Sequence, residues 1–390
     1  MENKTKLNIA IVGSGPAALM AGSQAILNGN SVTFFEKKKT AGRKFLVAGD
    51  GGFNLSNSEN LEDFVSRYDA NQLQEMIRQF TPNDLVEWLN KIEIPTYVGS
   101  SGKIFPKQGI KPIEVLKAWI DWLTKNGAIF RFENELLDFE DGKIFMQFND
   151  TADWLQFDKI IMALGGGSWS VTGSDASWIK LFQAKNIDIN PLVSSNAGMN
   201  ISFRNKLASI EGQPIKNVVV KHGNSSKMGE ITLTNYGLEG SPIYYLNRSF
   251  RNNNSALLKL DFKPKTEINK LVEVLSTTKN FTEGLKMLKL SKGAIWLLKS
   301  EVSKEDFMDV QILAERIKNL EVKIDSLRPM EEAISTAGGV CWSELNDNLS
   351  LKKFPSISLC GEMLDWDAPT GGYLLQGCFA SGFVAGKSIT

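Results

Sequence analysis

The residues with the clearest chemistry form a glycine-rich turn near the start of the chain. The turn reads GSGPAA and consists of Gly13, Ser14, Gly15, Pro16, Ala17 and Ala18, directly after the apolar run 7–12. Gly13 permits a tight turn, Gly15 lets the backbone approach a pyrophosphate without a Cβ atom, and Ala18 allows close helix–strand packing. A helix that begins here presents free N–H groups and a partial positive charge to phosphate. The turn therefore predicts a dinucleotide site.

An acidic residue at the expected distance supports this interpretation. Glu36 ends a second strand-like run, 31–36, and follows Gly13 by 23 residues, near the roughly 20 expected for the acid that accepts ribose hydroxyls. An acid at this position favours an unphosphorylated ribose, as in FAD or NAD, over NADP. Of the three lysines that follow, Lys37 is the one expected to lie along the cofactor.

A second glycine-rich segment, 41–54, follows the ribose acid. Its candidate cofactor residues are Gly42, Arg43, Lys44, Gly51, Gly52 and Asn54. The two cations could reach phosphate oxygens. The glycines after them would let the backbone lie against a flat ring.

Two further glycine loops follow strand-like runs later in the chain. The first candidates are Ala163, Leu164 and Gly165, and the second are Gly361, Glu362, Gly371, Gly372, Tyr373 and Leu374. We expect Gly361 and Glu362 to face a ribityl chain, and the amides at the start of the last helix to stabilise negative charge on a reduced isoalloxazine. Four such loops in this order favour FAD over a nicotinamide cofactor, which has no need for the last two.

The pattern of elements that must position these loops is α/β. A βαβ opening spans 7–36, helices are predicted at 70–79, 82–90 and 112–126, and a buried strand at 157–164. From about 191 to 330 the alternation stops, and helical, lysine-rich sequence dominates 265–320. We therefore predict a Rossmann-type FAD-binding domain formed by 1–190 and 331–390, with an α+β domain, 191–330, inserted in it.

Composition excludes several classes of function. Lys+Arg and Asp+Glu both total 44 in 390 residues, so no nucleic-acid partner is expected, and no apolar run is long enough for a membrane span. A single histidine, His222, argues against serine–histidine and multi-histidine metal chemistry, and no metal is expected. Three cysteines without CxxC spacing and the lack of a secretory signal indicate reduced thiols and a cytoplasmic location.

These motifs resemble the FAD-binding fold of glutathione reductase and, more closely, the BaiN-type (aminoacetone-oxidase-like, YhiN-like) family of NAD(P)/FAD-dependent oxidoreductases. The matching segments are GSGPAALMAG, EKKKTAGRK, GKIFP, GEITLTNYGLEG, TAGGV and GEMLDWDAPTGGYLLQ. The resemblance implies an inserted domain with a β-barrel-like part and helices, and it places Leu136 near the adenine. In one respect the chain departs from this family, which usually carries arginine and cysteine where Gly52 and Phe53 stand here.

The leading hypothesis is an FAD-dependent oxidoreductase of unknown substrate, with a small molecule bound between the FAD domain and the insert. By motif position, residues near the ring are Asp50, Asn54, Trp169, Asp365, Asp367 and Tyr373, and no catalytic acid or base is assigned. With one dinucleotide fingerprint, NAD(P)H is expected at most as a transient reductant. The alternatives are an NAD(P)-dependent dehydrogenase without flavin and a non-enzymatic FAD-binding sensor or partner module. The oligomeric state is left open.

Overall fold

The computed structural model describes residues 5–47, 53–207, 210–253, 255–278 and 280–389. It divides into two compact units. The first comprises the described residues of Met1–Val193 and Ser335–Thr390, and the second is Ser194–Ile334. The predicted domain boundaries lie at 190 and 330.

The part of the chain before the second unit contains eleven described strands and seven described helices. The strands are β1 (Asn8–Val12), β2 (Ser31–Glu36), β3 (Ser56–Asn57), β4 (Thr96–Val98), β5 (Lys103–Pro106), β6 (Ile129–Phe132), β7 (Asn134–Glu140), β8 (Lys143–Phe148), β9 (Thr151–Gln156), β10 (Lys159–Met162) and β11 (Ile189–Ser195). The helices are α1 (Pro16–Leu27), α2 (Arg43–Val47), α3 (Leu61–Val65), α4 (Asn71–Gln79), α5 (Pro82–Lys91), α6 (Pro112–Lys125) and α7 (Trp178–Ala184).

The remaining elements belong to the second unit and to the C-terminal return into the first. The strands are β12 (Met199–Asn200), β13 (Pro214–His222), β14 (Ser225–Thr234), β15 (Gly237–Glu239), β16 (Leu257–Asp261), β17 (Leu320–Lys323), β18 (Ser326–Leu327), β19 (Ser335–Val340) and β20 (Ile357–Leu359). The helices are α8 (Ser241–Tyr245), α9 (Asn247–Asn252), α10 (Ile268–Ser276), α11 (Phe281–Met287), α12 (Lys292–Glu301), α13 (Lys304–Phe307), α14 (Val310–Lys318) and α15 (Tyr373–Lys387).

A five-stranded parallel sheet organises the first unit. Its strand order is β20-β10-β1-β2-β6, and Ile9 of the central strand pairs with Val32 on one side and Lys159 on the other. A central parallel strand is covered on both faces, which is why the sequence of β1 is apolar without alternation. The carboxyl ends of these strands share one edge, where the predicted glycine loops begin, and ligands bind at that edge in open α/β sheets.

The first and last helices pack against each other through small residues. Pro16 at the first helical position and the extended backbone of Gly15 start α1. Ala18 is fully buried in α1. A Cβ atom built on Gly386 of α15 would lie 2.2 Å from the carbonyl oxygen of Ala21, so only glycine permits this approach. The residue types of both helices therefore bring the C-terminal segment onto the opening βαβ unit.

Smaller sheets complete the first unit. Antiparallel sheets form in the orders β3-β5-β4 and β7-β8-β9, and β11 pairs with β19. A turn at Asp141 and Gly142 joins β7 to β8, and Gly142 has a φ of 76°.

The second unit contains a seven-stranded antiparallel sheet in the order β17-β16-β13-β14-β15-β12-β18. Its two edge strands are parts of one segment, 320–327, which pairs first with β16 and then with β12. The sheet is thereby joined into the barrel-like form that the family resemblance implied, and helices α10–α14 contribute to its separate apolar core. His222 is buried here, with its ring nitrogens 2.8 Å from Ser249 Oγ and from the Ser255 carbonyl oxygen.

Among the described residues, no helix is both long enough and apolar enough to cross a membrane.

Candidate active site

A cavity of about 490 Å³ opens at the carboxyl edge of the parallel sheet, within the first unit. Its volume lies in the range of small-molecule and cofactor sites. The predicted residues that line it are Gly13, Ser14, Gly15, Pro16, Ala17, Glu36, Lys37, Gly42, Arg43, Lys44, Leu136, Ala163, Leu164, Gly165, Gly361 and Glu362. Segments more than 300 residues apart in sequence thus meet around one space.

The two glycines of the first turn serve different purposes. Gly13 has a φ of 105°, and a Cβ atom on it would lie 2.3 Å from the Ala163 carbonyl oxygen. Gly15 has no such neighbour, because nothing lies within 4 Å of its would-be Cβ. Gly13 is therefore required by the fold, whereas the space at Gly15 belongs to the cavity.

The ribose acid is held in a fixed position. One oxygen of Glu36 accepts a hydrogen bond of 2.5 Å from Ser14 Oγ, and the other accepts one of 2.8 Å from the Lys38 backbone N–H. A carboxylate oxygen has two lone pairs, so each can still accept a second hydrogen bond. Glu36 can therefore bind two hydroxyl groups presented from the cavity.

Two lysines of the cavity lining, Lys37 and Lys44, form ion pairs with protein carboxylates. Lys37 Nζ lies 2.7 Å from Asp175 Oδ2. Burial works against ionisation of Asp175, but hydrogen bonds from Lys37 and Ser177 outweigh it and lower the pKa of this carboxyl. Lys44, expected at phosphate, instead has Nζ 2.7 Å from Glu362 Oε2. Arg43 is exposed on the lining and, within the described ranges, makes no ion pair.

The C-terminal glycines pack against the segment that follows 48–52. A Cβ atom on Gly372, whose φ is 103°, would lie 2.4 Å from the Ser56 carbonyl oxygen. Tyr373 donates a hydrogen bond of 2.7 Å to Glu59 Oε1, and Tyr68 donates one of 2.7 Å to the Tyr373 carbonyl oxygen. Burial and the contact with Glu59 raise the pKa of the Tyr373 phenol. The start of α15 is therefore rigidly held.

The cavity is lined by the last helix, α15, but not by the predicted residues at its start, Gly371, Gly372, Tyr373 and Leu374. Cys378 of α15 is part of the lining, and it follows Tyr373 by five residues, or about 7.5 Å along a helix. Leu374 packs against the apolar core. The cavity thus reaches the first turns of the last helix.

The structure describes only some of the residues near position 50 that the sequence places beside the flavin ring. Asp50, Gly51 and Gly52 lie outside the described residues. Asn54 is half-buried, and Phe53 is buried with its ring centroid 4.9 Å from that of Phe45. A buried hydrocarbon ring therefore occupies the position where the resembling family carries cysteine.

The remaining ring candidates lie on loops at this edge. Trp169 has a φ of 64°, unusual for a bulky residue, and stays partly exposed. Asp365 accepts a hydrogen bond of 2.5 Å from Asn190 Nδ2, and burial raises the pKa of its carboxyl. Asp367 is buried, and its backbone N–H donates to Asp69.

Sequence reasoning missed part of the lining. The additional polar and aromatic residues are Asn134, Glu135, Thr172, Ser174, Ser177, Trp178 and Lys180. Glycine at 173, in the turn between Gly165 and α7, could have directed attention to Thr172, Ser174 and Ser177, whereas Asn134 and Glu135 carry no comparable signal. Among the described residues no group of three or more His, Cys, Asp and Glu side chains could hold a metal ion.

The residue set fits FAD. The open space at Gly15 lies beside the N-terminus of α1, where phosphate is favoured. Glu36 and Glu362 offer acceptors to hydroxyl groups at two positions of the lining, and Leu136 offers an apolar contact. An extended molecule with two polyhydroxylated parts joined by a pyrophosphate matches this order.

Solved structures share the fold at low sequence identity. The chain is similar to the open conformation of a flavocytochrome c3 fumarate reductase, with 12 % identity, a TM-score of 0.52 and coverage of 99 % of this chain and 78 % of that one. It is also similar to 3-ketosteroid-delta4-(5alpha)-dehydrogenase from Rhodococcus jostii RHA1, with 13 % identity, a TM-score of 0.53 and coverage of 100 % and 97 %.

Curated relatives match over nearly their whole length. A 3-dehydro-bile acid delta(4,6)-reductase of Clostridium scindens is 23 % identical, with 97 % of this chain and 98 % of the relative covered. Ribosomal RNA dihydrouridine synthases of Haemophilus influenzae and Escherichia coli are 24 % and 20 % identical, with 97 % and 98 % of this chain and 98 % of each relative covered. The model of the HI0933-like protein Rossmann domain matches residues 7–388, so the chain belongs to that family and is an FAD-dependent oxidoreductase.

Proposed function

We propose that this oxidoreductase reduces a carbon–carbon double bond conjugated to a carbonyl group. The names of the relatives support this reaction type. A bile acid with a 3-oxo group and delta(4,6) unsaturation contains such a double bond, and uridine contains one that is saturated in dihydrouridine. Both kinds of relative align over 97 % or more of this chain, so the similarity includes the segments that form both units.

The observation that places FAD at the centre of the proposal is the convergence of Gly15, Glu36 and Glu362 on one cavity, and the relatives' names supply the reaction type. In the proposal, the turn at Gly13–Ala18 and Arg43 hold the pyrophosphate, Glu36 holds the ribose, and Leu136 contacts the adenine. Ala163, Leu164, Gly165, Gly361 and Glu362 hold the ribityl chain, and the ring lies toward Asn54 and the first turns of α15, which the cavity reaches through Cys378. When bound there, FAD supplies a two-electron carrier able to deliver hydride.

The protein's own part in such a reaction is to bind, orient and exclude water. Saturating the double bond consumes one hydride and one proton, so a reductant and an acid are needed. NADH or NADPH is the proposed reductant, bound transiently, and the substrate a small molecule. Phe53 has no exchangeable proton and is packed on Phe45, so residue 53 does not supply the acid in this chain.

The test is anaerobic reduction followed by reoxidation. The purified protein should carry FAD, its colour should bleach with NADH or NADPH, and a 4-ene-3-keto steroid should restore it, whereas the saturated steroid should not. Colourless protein that oxidises NAD(P)H would favour a dehydrogenase without flavin. Bound FAD that neither NADH nor NADPH bleaches would favour a sensor or partner module.

A second candidate substrate is uridine within RNA, which the distribution of charge favours. The zero net charge hides an asymmetry: residues 194–334 contain 21 Lys and Arg against 16 Asp and Glu, whereas the rest contains 23 against 28. Exposed Lys286, Lys289 and Lys292 make no ion pair within the described part of the chain. Positive charge concentrated in one unit favours phosphate backbones.

Reaction of the reduced protein with uridine-containing ribosomal RNA separates the two substrates. Dihydrouridine formation that weakens steeply with salt would replace the small-molecule proposal with the RNA one. Lack of binding at low salt would remove RNA from consideration. A cytoplasmic location is part of either proposal, since all three cysteines are unbridged thiols.

A further inference from the structure

An ion pair in the cavity involves only one of the two adjacent cations of α2. Lys44 Nζ lies 2.7 Å from Glu362 Oε2 and donates a hydrogen bond of 2.6 Å to Ser168 Oγ. Its side chain is 27 % exposed and that of Glu362 is 14 % exposed. Arg43, the preceding residue, is exposed and makes no ion pair among the described residues.

Glu362 is fixed from its other side as well. Its Oε1 accepts a hydrogen bond of 3.1 Å from the Thr336 backbone N–H. A Cβ atom on Gly166 would lie 3.0 Å from the carboxyl carbon of Glu362, so glycine at position 166 leaves the space that this carboxylate occupies. Each carboxylate oxygen thus has one protein partner and keeps one lone pair.

We propose that Lys44 acts on the cofactor through Glu362, as a positioning residue, while Arg43 contacts the pyrophosphate. Lys44 neutralises a carboxylate that would otherwise repel the phosphates and holds it where its free lone pairs accept ribityl hydroxyls. This inference concerns cofactor retention and is independent of the substrate proposed above. It also replaces the expectation that both cations reach phosphate.

The energetic consequence is strong coupling between the two positions. Removing one member of a partly buried ion pair leaves the other charge without compensation, whereas removing both does not. Lys44→Met should therefore weaken FAD binding about tenfold to a hundredfold. The double variant Lys44→Met/Glu362→Gln should bind FAD no more weakly than Lys44→Met alone. If Lys44 instead binds phosphate directly, the fold losses of FAD affinity caused by the two substitutions should multiply.

The experiment is a double-mutant cycle on the dissociation constant of FAD, measured by flavin fluorescence on apoprotein prepared from the full chain. Arg43→Met is the matched control on the same helix. Its fold loss of FAD affinity should multiply with the fold loss caused by Glu362→Gln. Raising the salt concentration should weaken FAD binding less in Arg43→Met than in the unsubstituted protein.

A conservative variant and a stability measurement exclude a merely structural role. Lys44→Arg keeps the charge and should retain FAD within about threefold, because a guanidinium also donates to a carboxylate. Melting temperatures of the apoproteins show whether the pair only stabilises the fold. Multiplicative losses, or a lower melting temperature of Lys44→Met with unchanged FAD affinity, would overturn the proposal. If Lys44→Met does not fold, the FAD affinities of the double variant and of Lys44→Arg still test the proposal.

Discussion

Gly382 of the last helix packs on the backbone of Ala17 in the first helix: a Cβ atom at position 382 would lie 2.2 Å from the Ala17 carbonyl oxygen. Ala17 belongs to the turn that starts the cavity, and Gly361, which leads toward the last helix, lies beside its Cβ. The C-terminal segment therefore lies directly over the opening βαβ unit. Together with the pairing of β20 with β10, this contact joins the two separated parts of the chain into one FAD-binding fold.

Gly382→Ala should destabilise the protein although alanine is the better helix former. The new methyl group meets backbone atoms that cannot move aside, and overpacking of this kind costs about 1–3 kcal/mol. Chemical denaturation of the apoprotein measures the effect. Gly284→Ala in α11 is the control, because its nearest neighbours are ends of side chains. Equal stability of both variants would contradict the close packing.

Glu36→Ala should weaken FAD retention. The variant loses charge-assisted hydrogen bonds to ribose hydroxyls, worth about 1.5–3 kcal/mol. Flavin content after purification and the dissociation constant of FAD measure the loss. Glu133→Ala is the control, because this carboxylate is 52 % exposed and is not part of the cavity lining. Full flavin occupancy and unchanged affinity in Glu36→Ala would show that Glu36 is not the ribose acid.

Thiol alkylation should leave flavin reduction unaffected at pH 8. Burial raises the pKa of the Cys378 thiol to about 12 and also raises the pKa values of Cys360 and Cys341 above 9.0. Because the thiolate is the reactive form, labelling by iodoacetamide should stay slow and accelerate only above pH 9. Mass spectrometry counts the labels, and bleaching by NAD(P)H reports function. Rapid inactivation at pH 8 that FAD prevents would be the opposite result.

The sequence predicted the elements that carry local signals. The run 31–36 and the start of α6 at Pro112 agree with the structure, because apolar runs, proline and glycine mark them directly. β9, whose sequence TADWLQ is mostly exposed, was missed because it lacks the apolar alternation of a half-buried strand. The segment 223–226, Gly-Asn-Ser-Ser, has the composition of a turn, yet β14 begins within it at Ser225, and only two residues separate β14 from β13.

The pairing of charges could not be predicted. Lys44 and Glu362 are separated by more than 300 residues, and nothing local distinguishes Lys44 from Arg43. Asp175, which engages Lys37, lies on a loop that carries no charge motif. Residue types and spacing identify which groups line the cavity, whereas the sheet edge that gathers them decides which cations bind protein and which are left for phosphate.

The most direct test of the account is the flavin content of Gly15→Ala. Its methyl group would enter space with no protein atom within 4 Å, whereas that of Gly13→Ala would meet the Ala163 carbonyl oxygen at 2.3 Å. The Gly15→Ala apoprotein should therefore melt like the unsubstituted apoprotein, yet the variant should purify with little FAD, and Gly13→Ala should be unstable. A stable Gly15→Ala protein that retains one FAD per chain with unchanged affinity would contradict the placement of the cofactor in this cavity.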